Sequence, residues 1–184
     1  MASAGGYLSY ENIADKATVA GVEIEIRKNL FVRPVSNAAH GMNKLSLGLN
    51  GSYIYTNAKM PLATVTTGSQ LEGAAPWIVN FDLSHNFTKG ERSFVNTLVL
   101  NYVSDKIYTI GTQGYQDIME QGVLTLDFVS QAKLNKHLSL NLKARNLLNP
   151  SYKLSRKANE NGEKVILNDY KKGINISLGV SCTF

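Results

Sequence analysis

The last twelve residues, Gly173-Ile-Asn-Ile-Ser-Leu-Gly-Val-Ser-Cys-Thr-Phe184, alternate without a break between apolar and small or polar side chains. Ile174, Ile176, Leu178, Val180, Cys182 and Phe184 fall on one side, and Gly173, Asn175, Ser177, Gly179, Ser181 and Thr183 on the other. Successive side chains of a strand point to opposite faces, so the stretch predicts a β-strand with one greasy and one wet flank. A helix would scatter the same residues around its circumference.

The pattern returns upstream. Leu138, Leu140, Leu142 and Ala144 oppose Ser139, Asn141, Lys143 and Arg145; Leu124, Leu126, Phe128, Ala132 and Leu134 oppose Thr125, Asp127, Gln131 and Lys133. Val79, Phe81, Leu83 and Phe87 oppose Asn80, Asp82, Ser84 and Asn86, and Leu45, Leu47, Leu49, Tyr53 and Tyr55 oppose Ser46, Gly48, Asn50 and Ser52. Val22, Ile24 and Ile26 oppose Glu23, Glu25 and Arg27. In Arg92–Ser104, Leu98, Leu100 and Tyr102 keep the phase while Val95 and Val99 interrupt the polar side. With a short strand at Gly5–Glu11, the spacing predicts about eight strands.

Connections alternate in length. Tight turns are expected at Thr88-Lys89-Gly90-Glu91 and Asn135-Lys136-His137, and long polar loops at Thr56–Ala75, Asp105–Gln121 and Asn149–Asp169. The connection at Arg33–Asn43 belongs to the short-turn side but is longer than the rule wants. Short turns at one end and long loops at the other characterise outer-membrane barrels. Tyr53, Tyr55, Trp77, Tyr102 and Tyr108 gather near the long-loop ends, and Phe31, Phe87, Phe94 and Phe184 near the short-turn ends, as two aromatic girdles at a membrane boundary would require. These features predict an all-β fold, an antiparallel transmembrane β-barrel segment with short periplasmic turns and long extracellular loops. A soluble β-sandwich core is the rival home for the same aromatics.

Bulk composition does not decide between them. At 184 residues the chain has the length of one domain, and the reading treats 1–184 as a single unit. Mean hydropathy is −0.14, which looks soluble, yet alternation hides a membrane strand from any window average. A net charge of +5 gives weak grounds for nucleic-acid binding, because the basic residues are scattered and no Arg-rich helix stands out. The single cysteine, Cys182, excludes an internal disulfide and a Cys-based zinc cage. The start, Met1–Gly6, lacks the basic head and apolar stretch of an export signal, so the chain is expected to be part of a longer exported protein.

Four segments resemble one family. Ala17-Thr-Val-Ala-Gly-Val-Glu-Ile-Glu-Ile26 is similar to the "A-x-x-x-G-V-E-x-E" strand of TonB-dependent receptors, and Leu71-Glu-Gly-Ala-Ala-Pro-Trp-Ile-Val-Asn80 to their "L-x-G-x-x-P-x-x-V-N" loop-to-strand segment, in the manner of receptors from Bacteroidetes-like bacteria. Ala144-Arg-Asn-Leu-Leu-Asn149 resembles the late "N-L-x-N" motif, and Phe184 the terminal signal read by the barrel-assembly machinery. The resemblance implies a barrel of 22 strands with a plugged lumen, of which this chain supplies roughly the final third. It implies energy-coupled uptake of a scarce nutrient, by default an iron chelate (siderophore or haem), in the bacterial outer membrane. The implied partners are outer-membrane lipid and lipopolysaccharide, the remaining barrel and plug, TonB through the plug, and the assembly machinery. A self-contained eight-stranded outer-membrane protein with a structural or adhesive role stays open as the alternative, since eight strands can close.

A charge facing lipid at mid-depth costs a few kcal/mol, so Glu23, Glu25, Arg27, Asn80, Asp82, Asp127, Lys143 and Arg145 are assigned to the lumen. As a group they are candidates for plug contact; individually, lining a hydrated interior is the commoner role. The mixed signs of Asp82, Asp127, Lys143 and Arg145 allow cross-strand pairing. Lys153, Arg156, Lys157, Lys164, Lys171 and Lys172 border the last long loop and would draw in an anion, whether a ligand or a lipopolysaccharide phosphate, although a solvated loop is the more frequent explanation. No catalytic constellation is visible: His40, His85 and His137 lack metal-like spacing, and Ser84 and His85 point to opposite faces of one strand. Neither a cofactor nor a metal is expected.

Overall fold

The structure, a computed structural model, describes residues 16–35, 41–59, 70–111, 115–158 and 162–184. The expected strand at Gly5–Glu11 and His40 lie outside them. The described residues contain strands and no helix: β1 (Lys16–Pro34), β2 (Met42–Lys59), β3 (Trp77–Lys89), β4 (Arg92–Val103), β5 (Lys106–Thr109), β6 (Ile118–Glu120), β7 (Val123–Lys133), β8 (Leu138–Arg145), β9 (Ser151–Lys157), β10 (Lys164–Lys171) and β11 (Asn175–Cys182).

Seven of these form one antiparallel sheet in the order β1-β2-β3-β4-β7-β8-β11, so every neighbour is the next wall strand along the chain. The other four form a second sheet, β10-β9-β6-β5. It continues the same strands: Val103 pairs with Val123 in the first sheet and Lys106 with Glu120 in the second, while Arg145 pairs with Asn175 and Ser151 with Lys171. The expected loop at Asn149–Asp169 is therefore largely strand, and the one at Asp105–Gln121 carries β5 and β6. Their side chains are polar or mixed on both faces, so hydropathy alternation has nothing to report there. β1 and β2 also run further into their connection than expected, with Val35 N donating to Gly41 O at 3.1 Å.

The turns follow from local chemistry. Lys89 pairs with Arg92, leaving Gly90-Glu91 as a two-residue hairpin loop, and Gly90 has the positive φ (60°) that its first central position demands. At the next turn, Asn135 Oδ1 accepts from the backbone N of both His137 and Leu138, an Asx turn.

Register places the alternating residues in continuous rows. One row on the apolar face runs Ile26–Leu49–Phe81–Leu100–Leu126, and the next Leu47–Leu83–Leu98–Phe128–Ala144–Ile176. Nothing among the described residues covers this face: Ile24 is 61% exposed, Ile176 69% and Leu178 72%. A sandwich would have buried these residues against a second sheet, so the soluble alternative fails. Buried apolar residues among those described are few, namely Ala58, Ala75 and Ile107. They sit where the Leu71–Pro76 segment tucks in: Leu71 N donates to Thr56 Oγ1, and Gly73 N to Ile107 O.

Candidate functional site: the polar face and its mouth

The polar face carries one hydrogen-bonded chain across β1, β2 and β3 and, next to it, an ion-paired group. Asn80 Nδ2 donates to Asn50 Oδ1 at 3.2 Å, and Asn50 Nδ2 to Glu23 Oε1 at 2.6 Å. Beside them Arg27 pairs with Glu25 and approaches Asp82 Oδ1 to 3.8 Å. Arg27, Gly48 and Asp82 share one row, and Gly48 lies between the charged pair. A Cβ at Gly48 would collide with the Asp82 carboxylate, so the absent side chain is what lets the charge lie across β2.

Asp127 shares this face, but its carboxylate accepts from Asn146 N at 2.8 Å instead of meeting a cation. Lys143 and Arg145 have no ion-pair partner among the described residues. Of the mixed-sign set, then, Asp82 alone finds an opposite charge among the described residues. Val95 and Val99 do turn onto the polar face, opposite Gln131 and Asp127.

The aromatic residues also separate by height. Tyr53 and Trp77 pack with ring centroids 4.5 Å apart near the long-connection end, with Tyr55 and Tyr102 on the same face. Phe87 and Phe94 pair directly at the short-turn end, 6.4 Å apart. Phe184 lies beyond β11 at that end, fully exposed. Its neighbour Thr183 is clasped by the β7–β8 turn, with Thr183 N donating to His137 O and Thr183 O lying 2.8 Å from His137 Nδ1.

Where the two sheets meet, a cavity of about 230 Å³ opens on the polar side. Asn101 and Thr125 form its floor, and Lys106, Glu120, Tyr152 and Lys172 its rim. Lys106 Nζ is 3.4 Å from Glu120, and Lys172 Nζ sits 3.9 Å from the Tyr152 ring centroid, with Tyr170 stacked on Tyr152 at 5.5 Å. A second space shares Glu120 and Tyr152 and adds Tyr108 and Tyr170. This rim offers aromatic faces and ammonium groups to a ligand. Sequence reasoning placed Lys172 in a loop cluster and passed over Lys106, Glu120 and Tyr152, because only strand continuation brings them together.

The motif-like Asn146–Asn149 segment is a stitched break between β8 and β9. Asn146 and Asn149 have positive φ (58° and 43°). Asn146 Nδ2 donates to Gly173 O at 2.7 Å and Gly173 N to Asn149 Oδ1 at 3.1 Å, tying the break to β11. Asparagine tolerates this backbone region and bonds locally, which explains the residue choice. In the basic cluster, Lys153 pairs with Asp169 at 3.7 Å and Arg156 lies over Tyr115. Lys157 and Lys164 face each other in register, and neither they nor Lys171 have an ion-pair partner among the described residues.

A sequential antiparallel meander with one uncovered apolar face and one networked polar face is the wall of a membrane β-barrel. Residues 2–147 match the family described as TonB dependent receptor-like, beta-barrel, and the chain belongs to that family. Comparison with curated proteins and with solved structures gives no match. The family is one of outer-membrane receptors that serve energy-coupled uptake, not an enzyme class.

Proposed function

We propose that the chain contributes one arc, roughly the final third, of a receptor barrel that imports an iron chelate, siderophore or haem. The polar face lines the lumen, where Glu23, Glu25, Arg27, Asn80, Asp82, Asp127, Lys143 and Arg145 are available to a plug. The long-connection end is extracellular and the short turns periplasmic. TonB acts through the plug, and the assembly machinery reads the terminal strand with Phe184. The carrying observation is the cavity at the wall–mouth junction: an entering anion meets Lys106 and Lys172 above a lumen-facing floor. Lys157 and Lys164 share a face with Met119 and Ser155, opposite the side of Tyr152, and suit lipopolysaccharide phosphates.

The test is ligand binding to the receptor that contains this chain, followed by fluorescence quenching with haem and with a ferric tris-catecholate as probes. Replacing Lys106 and Lys172 together by glutamine should weaken one of the two by about tenfold, the worth of losing one charge-assisted contact. No binding of either by the wild type would remove the iron-chelate reading and leave the barrel assignment standing, and binding that the lysine pair leaves unchanged would remove this cavity as the ligand's place of entry.

A further inference from the structure

On β2, β3, β4 and β7 the apolar face carries one polar patch between the aromatic levels, and on β1 Lys28, opposite Leu47, and Arg33, opposite Asn43, share that face. Register sets His85 opposite Asn96 and Asn96 opposite Ser130, on three adjacent strands. Asn43 on β2, opposite Phe87, joins the row diagonally, its Oδ1 lying 2.8 Å from His85 Nε2, and Ser130 Oγ donates to Asn96 Oδ1 at 2.7 Å. These two bonds use both amide oxygens and leave the Nδ2 donors of Asn43 and Asn96 without a partner among the described residues. Amide donors facing hydrocarbon are costly, a few kcal/mol each when unmet, so this surface is built for something that carries acceptors.

Depth narrows the choice. His85 is two residues above Phe87, about 7 Å along the strand and about 5 Å of depth at a usual barrel tilt. That is the edge of the hydrocarbon on the short-turn side, where lipid esters lie. Leu83, Leu98 and Phe128 form an apolar bed above the row. Below the Phe87–Phe94 pair, Lys89 and Arg92 sit opposite each other on the same face, exposed and without an ion-pair partner among the described residues. Long basic side chains of this kind reach along the surface toward the boundary.

We propose that the outer face of the β3–β4 hairpin is a site for one anionic glycerophospholipid of the periplasmic leaflet. Its acyl chains lie on Leu83, Leu98 and Phe128, its ester carbonyls accept from the Asn43 and Asn96 amides, and its phosphate is held by Lys89 and Arg92. The inference rests on the lipid-facing reading of the apolar face. It is tested on the whole receptor, stripped of lipid in detergent and offered dioleoyl phosphatidylglycerol or dioleoyl phosphatidylcholine at equal concentration, with retained lipid counted by native mass spectrometry. One phosphatidylglycerol per barrel should be retained about tenfold better than phosphatidylcholine. Lys89→Gln with Arg92→Gln, at an exposed turn, should abolish the preference, and Asn43→Leu with Asn96→Leu should lower retention of both lipids. Equal retention that no variant alters would mean bulk lipid only and would overturn the site. So would a receptor dimer broken by the leucine pair with no lipid retained, which would put a second copy on the patch. A receptor that stays monodisperse without detergent would refute the lipid-facing reading itself, a failure distinguishable from loss of this one site.

Discussion

Leu98→Arg and Thr97→Arg place the same charge on adjacent residues of β4, and the fold makes them opposites. Leu98 lies on the apolar face between Leu83 and Phe128, whereas Thr97 lies on the polar face, its Oγ1 3.1 Å from Ser84 Oγ. Leu98 is four residues from Tyr102 and four from Phe94, the two aromatic levels. At about 3.3 Å per residue and a tilt near 40°, each level is about 10 Å away, which puts Leu98 close to the midplane. An arginine there should cost about 2–4 kcal/mol. At Thr97 it meets a hydrated surface and costs one weak hydrogen bond, about 0.5–1.5 kcal/mol at most. Reversible urea unfolding of the receptor in phospholipid vesicles measures both, and the midpoint should fall much further for Leu98→Arg. Equal costs, or a larger one at Thr97, would refute the assignment of faces and with it the membrane reading.

Two further substitutions test the polar network and the strand break. Gly48→Ala should destabilise by about 1–2 kcal/mol, from a displaced Asp82 carboxylate and a weakened, largely exposed ion pair; in an Asp82→Ala background the sign should reverse, because alanine is the better strand residue, and the same cost in both backgrounds would refute the steric account. Asn146→Ala loses a bond to Gly173 O and strains a backbone at φ 58°, for about 2 kcal/mol in the same unfolding assay, while Asn146→Gly should cost about half as much; alanine no worse than glycine would rule out backbone strain.

The wall was legible because one physical demand, grease on one side and water on the other, is written at most alternate residues of the seven wall strands. Three things were not. The positions skipped by the alternation, Asn43, His85, Asn96 and Ser130, read as isolated lapses on separate strands until register and the diagonal Asn43–His85 bond joined them. Gly48 looked like an ordinary small residue, since its role depends on a carboxylate from a strand more than thirty residues away. The mouth strands β5, β6, β9 and β10 looked like loops, because a strand with polar or mixed side chains on both faces carries no period for a sequence to show.

Those mouth strands also explain how the rim of the cavity is built. Lys106 follows Tyr102 by four residues, Glu120 precedes Leu124 by four, Tyr152 follows Ala144 by eight, and Lys172 precedes Ile176 by four. Tyr102, Leu124, Ala144 and Ile176 all belong to the apolar face. Had each strand run on unbroken, the period of two would have carried all four rim residues onto that face. Instead each strand is interrupted, at 104–105, 121–122, 146–150 and 172–174, and the interruptions shift the phase so that the four line one cavity with Asn101 and Thr125. Side chains hold the breaks in place: Asp105 Oδ1 accepts from Gly122 N at 2.6 Å, Asp127 from Asn146 N, and Asn149 from Gly173 N. An unpaired backbone N–H is expensive, so these small polar residues stabilise a bend that the ladder alone would reject. The change from a two-sided wall to a rim with a cavity is thus made by four short breaks, and the residues that secure them shape that rim without lining the cavity.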